Sequence, residues 1–179
     1  MKRLISAWVV LMLCSTSVSA ESSARLDAAA LKQMVTNLGL TVSDGAYASG
    51  ASYVLAVFPW GGYNYEVKVS GGGQEKIWIV ADLGTVPSER KVPKIVLEKL
   101  LDANFDAVRS YFSLDKETGE MRIKVALPNE GLSPVALRSA IQEVVEQMHN
   151  TRSVWRFDEW PAVETAAAPA SAKTTTGGS

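Results

Sequence analysis

Residues 111–148 read YFSLDKETGEMRIKVALPNEGLSPVALRSAIQEVVEQM, and their patterning decides the architecture. Tyr111–Leu114 and the run after Gly119 flank a turn at Asp115–Gly119. Met121, Ile123, Val125 and Leu127 fall on one face of the second strand, with Arg122 and Lys124 on the other. That period of two marks a strand buried on one side. Ser133-Pro134 then supplies a helix N-cap and a first helical residue whose missing N–H costs nothing there. Leu137, Ala140, Ile141, Val144, Val145 and Met148 trace one apolar stripe, while Arg138, Gln142, Glu143 and Glu146 form the wet side. A one-sided hairpin followed by a one-sided helix predicts a sheet covered by that helix.

Working upstream, Leu31, Met34, Val35 and Leu38 recur at helical spacing before Gly39, predicting a first helix that starts near Ser23. Three strands follow, over 52–58, 63–69 and 75–81, joined by turns at Pro59–Gly62 and Gly71–Gly73. Tyr63, Tyr65, Val67 and Val69 share a face, as do Ile77 and Ile79, which leaves Trp78 and Val80 opposite. Val96, Leu97, Leu100 and Leu101 signal a second helix from about Pro93 to Asn104. The predicted order is α-β-β-β-α-β-β-α. This is an α+β fold, one antiparallel five-stranded sheet with helices packed on one face and the other face at least partly open.

The two ends have a different character. Met1-Lys2-Arg3, an apolar run over Leu4–Cys14 and Val18-Ser19-Ala20 read as a secretory signal peptide cleaved after Ala20. Its apolar run falls well short of the roughly 20 residues that span a bilayer, so no stable membrane insertion is expected after cleavage. Leu13 before Cys14 does not suit lipid attachment. Residues 161–179 contain one bulky aliphatic residue, Val163, and are expected to form a disordered low-complexity tail. Residues 21–160 remain as one domain, expected in the periplasm or secreted.

Cleavage removes Lys2, Arg3 and Cys14, leaving 16 basic against 19 acidic residues and no cysteine. That balance gives no reason to expect a nucleic-acid partner. Disulfides and thiol chemistry are excluded, and His149 is the sole histidine. There is no Gly-x-Ser-x-Gly elbow, and His149 at a helix end reads as a residue placed favourably near the helix C-terminus or simply exposed. Asp115–Glu120 lacks the ligand spacing of a calcium loop and reads as a strand turn. Gly71–Gly73 joins two strands, so it is not a phosphate loop. The chain is therefore expected to be non-enzymatic, with no metal and no cofactor.

Candidate binding residues come from parity. Trp78, Arg122 and Lys124 face away from the predicted helices, and an outward Trp beside cations suits a protein contact. Cover by another part of the chain is the competing reading. Trp60, in the Pro59–Gly62 turn, is the aromatic expected to be most exposed. Trp155, Phe157 and Trp160 admit two readings: a short extended segment completing the core, or a ligand surface.

Residues 103–148 resemble the C-terminal half of the type III secretion chaperone-like fold, which includes Tir chaperone (CesT-type) proteins and YbjN-type domains. The shared features are Leu-Leu-x-x-Asn over Leu100–Asn104, a hairpin turn with Leu114, Asp115 and Gly119, and the Leu-Ser-Pro lead-in at 132–134. The resemblance implies a protein- or peptide-binding module, chaperone or regulatory, without catalysis. Secretion chaperones of this fold dimerise and hold an extended effector segment, so a homodimer and a protein partner are implied. Those chaperones act in the cytoplasm, whereas this chain opens with an export signal. The alternative function is a periplasmic carrier of an apolar small ligand or lipid, built around residues 155–160 and the helices.

Overall fold

A computed structural model describes residues 24–162. The expected signal peptide, and the expected tail from residue 163 onward, lie outside the described residues. The elements are α1 (Ala28–Asn37), β1 (Thr41–Ala46), β2 (Ser52–Trp60), β3 (Tyr63–Ser70), β4 (Lys76–Thr85), α2 (Lys94–Asp106), β5 (Tyr111–Leu114), β6 (Glu120–Pro128) and α3 (Pro134–Asn150). Two short 3-10 turns, Arg152–Val154 and Phe157–Glu159, follow. All strands lie in one antiparallel sheet of order β1-β2-β3-β4-β6-β5.

The α+β class and the single antiparallel sheet are as expected, but the sheet has six strands instead of five. The additional strand is β1, TVSDGA, an edge strand that is mostly exposed. Its Asp and Gly are poor strand formers, and only Val42 packs on the core, so no alternation shows. Pairing with β2 holds it in place, from Thr41 opposite Val57 to Ala46 opposite Ser52.

α1 begins at Ala28, five residues later than Ser23. Asp27 caps it, accepting the Ala30 N–H at 2.8 Å. β2 runs through Pro59 to Trp60. β1 ends opposite Val57, so Pro59 has a strand on one side only and its missing donor costs no ladder bond. The hairpin is thus the two-residue Gly61–Gly62, with φ of 55° and 81°. Positive φ at both positions matches the twist of the flanking strands and favours glycine.

The parity expectations describe the core. Val54, Ala56, Phe58, Val67, Val69, Ile77, Ile79, Ile123 and Val125 are buried on one sheet face against Leu31 and Val35 of α1 and the stripe of α3. A second cluster joins Val96 and Leu100 of α2 to Met121, Val154 and Trp160, on the same face. The segment 155–160 is not extended. It forms 3-10 turns, closed by Glu159 N–H to Arg156 C=O and Trp160 N–H to Phe157 C=O. Its aromatics pack as core: the Trp155 ring lies 5.3 Å from Phe112, and Phe157 meets Trp160 edge-on at 4.8 Å. Pro161 and Ala162 continue as a bridge to the Arg90–Lys91 loop.

Two polar clamps, one buried and one half-buried, tie loops to this layer. Asn129, wholly buried after β6, accepts the Leu26 N–H at 2.9 Å and donates to the carbonyls of Leu26 and Gln74 at 2.9 and 2.8 Å. Glu143 of α3 accepts the backbone N–H groups of Arg109 and Ser110 at 2.8 and 2.7 Å, and the Arg109 Nε–H at 3.0 Å. Burial pushes the Glu143 carboxyl up, but these bonds outweigh it and hold it below its ordinary range.

Candidate functional site on the open sheet face

With every helix on one face, strand register sets what the other face presents. Tyr53, Ser70, Trp78 and Ala126 form one cross-strand row, and Leu55, Lys68, Val80, Lys124 and Tyr111 the next. Asp82, Arg122 and Ser113 make a third. Trp78 is therefore flanked across the sheet by two small residues. Val80 is only 8% exposed although no helix covers it. Lysine stems on both sides account for that, since they lie along apolar surface while their charged ends stay wet.

Charges on this face are mostly neutralised. Lys68 Nζ lies 2.5 Å from Asp82 Oδ2 and sits 5.0 and 5.6 Å from the ring centres of Tyr53 and Tyr47. The Asp82 hydrogen bond raises the Lys68 pKa against the opposing effect of burial. Arg122 bonds to Asp82 at 3.2 Å and to Glu120. Lys124 has no ion-pair partner among the described residues.

These rows enclose a groove of about 310 Å³ lined by Tyr47, Ser70, Trp78, Val80, Tyr111, Arg122 and Lys124. A second groove of about 520 Å³ shares Tyr47, Ser70 and Trp78 with it and runs on past Tyr53 and Gly72 to Ala28 and Lys32 of α1. Trp78 thus sits where the two meet, in a trough lined by Val80 and the rings of Tyr47 and Tyr111 and carrying one cation, Lys124, without an ion-pair partner among the described residues.

Trp78, Arg122 and Lys124 come together here. Trp60 does not join them, and it is not the most exposed aromatic. Because β2 continues through Pro59, parity carries Trp60 to the side of Phe58, where it is half-buried against the core with the rings 6.4 Å apart. Phe105, 90% exposed, is far more open. His149, in the last turn of α3, has its Nδ1 hydrogen-bonded to the Tyr65 hydroxyl at 2.8 Å, beside Gly61. Among the described residues no group of three or more metal-ligating side chains occurs, and no helix is long and apolar enough to cross a membrane.

Sequence reasoning placed Val80 beside Trp78 but overlooked Tyr47 and Tyr111 as groove residues, and the outward face of α2. There Leu97, Leu101, Phe105 and, just beyond, Val108 form an exposed stripe. The signal was present: α2 carries more large apolar residues than its buried stripe, Val96 and Leu100, can use.

Residues 71–152 match the model of the Tir chaperone protein (CesT) family, a stretch that contains the 103–148 resemblance. A solved structure of an uncharacterized protein from Methanothermobacter thermautotrophicus shares the fold at 15% identity, covering 70% of this chain and 93% of that one with a TM-score of 0.51. The heterodimeric ExoU–SpcU complex of the Pseudomonas aeruginosa type III secretion system gives 16% identity, 69% and 96% coverage and a TM-score of 0.44. YbjN from E. coli gives 16%, 70% and 85%, and 0.44. No curated protein matches the chain in sequence.

Proposed function

We propose that this chain is an exported, non-enzymatic module that binds a protein or peptide in extended form and works as a homodimer in the periplasm. The observation that carries the reading is the continuous trough centred on Trp78. Grooves with an apolar floor and aromatic walls suit extended peptides, whose alternate side chains enter such pockets. The Tir chaperone family match supports a protein partner. The exposed stripe of α2 supports self-association, because a two-fold contact buries the same patch on both copies. Packing of Trp155, Phe157 and Trp160 into the second core weighs for a surface over an internal carrier site.

Crosslinking and pull-down from the native envelope fraction test this, with wild type and Trp78→Ala compared side by side. Proteins captured by wild type and lost with Trp78→Ala are expected. An unchanged set of partners would place the binding surface elsewhere, and a copurifying lipid in native mass spectrometry would favour the carrier.

A further inference from the structure

We infer that Lys124 makes the trough selective for extended segments that carry an acidic residue two positions from an apolar one. The inference rests on the peptide-binding reading of the same groove and adds the chemistry of the partner. Lys68 and Arg122, the cations nearest to it on this face, are both paired with Asp82, and Arg122 with Glu120 as well. Lys124 lies beside them with no carboxylate among the described residues. Its strand neighbours are Val80 and Tyr111, both lining the groove. An apolar side chain resting on Val80 and Trp78 therefore brings the next same-face position of an extended chain near one free ammonium. A carboxylate there pairs the one charge lining the trough that has no ion-pair partner among the described residues, whereas a lysine meets like charge. The groove is open to solvent, so the pair acts as an exposed ion pair, screened by salt.

Fluorescence anisotropy with short labelled peptides that place glutamate, glutamine or lysine two positions from leucine, with serine between, reads this directly. The full mature chain is expected to bind the glutamate peptide roughly fivefold more tightly than the glutamine peptide, with the lysine peptide weakest. Lys124→Gln should remove the preference, and Lys124→Arg should retain it. Trp78→Ala should weaken all three peptides together. Equal, Trp78-dependent binding of all three would overturn the charge selection and leave the groove standing. Absence of any Trp78-dependent binding would overturn the groove itself. Displacement of bound peptide by a free medium-chain fatty acid, at concentrations where an uncharged alcohol of the same length does nothing, would show the ammonium reading a lipid carboxylate and overturn the peptide assignment.

Discussion

Removing the Asn129 side chain tests whether the fold depends on its buried clamp. Asn129→Ala deletes three hydrogen bonds of 2.8 to 2.9 Å at a wholly buried site. The Leu26 carbonyl keeps a second donor, the Gly73 N–H at 2.7 Å. The Leu26 N–H and the Gln74 carbonyl each lose the partner supplied by Asn129. Three net bonds at about 1 kcal/mol each, plus part of the desolvation cost of two stranded groups, give a loss of about 3–4 kcal/mol. Against a typical domain stability of about 5–15 kcal/mol this is severe but leaves a folded population. In urea the midpoint should fall by about 1 M or more with the slope unchanged. Asn129→Asp sharpens the test. It keeps the size and the acceptor for Leu26 but replaces the amide donor with an oxygen facing two carbonyls. At neutral pH it should be less stable than the alanine variant. Burial raises the folded pKa of the introduced carboxyl above its unfolded value of about 3.9, so its penalty is smallest below that pH and grows as pH rises. An aspartate variant as stable as wild type at pH 7, or an alanine variant costing under about 1 kcal/mol, would refute the clamp.

Glu143 holds the α2–β5 linker, and its depressed carboxyl contributes stability that is present above the unfolded value near 4.3 and lost as pH falls through the lower folded value. Glu143→Gln should therefore be less stable than wild type at neutral pH, with the two curves converging on acidification in pH-dependent urea titrations. Gly72→Ala should cost roughly 1–3 kcal/mol in the same assay, because its Cβ would lie 2.5 Å from the Ala28 Cα. Phe105→Asp should convert dimer to monomer in light scattering while the monomer stays folded by circular dichroism, since Phe105 is exposed and outside both cores. A dimer unchanged by that substitution would remove α2 from the interface.

Parity was the strongest guide in this sequence. Tyr65, Val67, Val69, Ile77, Ile79, Ile123 and Val125 carry the sheet, and their alternation alone separates the covered face from the face of Trp78 and Lys124. What escaped was information held by tertiary partners. β1 has no pattern of its own and exists because β2 pairs with it. Glu143 falls on the polar side of its helix, yet it serves a backbone loop 33 residues earlier. The partner of His149 is 84 residues away. Trp60 was misplaced by treating Pro59 as the end of a strand, an error about an edge where proline is tolerated.

One of the two sheet edges is guarded against strand addition. A strand edge with free N–H groups is the cheapest place to add a peptide. At β5 that route is obstructed: the Asn104 Oδ1, at the end of α2, accepts the Phe112 N–H at 2.6 Å. This gives the asparagine of the Leu-Leu-x-x-Asn stretch a physical task. Leu100 anchors α2 in the second core, Leu101 points outward in the exposed stripe, and Asn104 occupies a donor of the edge strand. Asn104→Ala should leave the trough intact while freeing that N–H. Backbone exchange at Phe112 should then accelerate, and a tendency to associate through β5 should appear that Phe105→Asp does not cure. If exchange at Phe112 were unchanged, the edge would be protected by something other than Asn104.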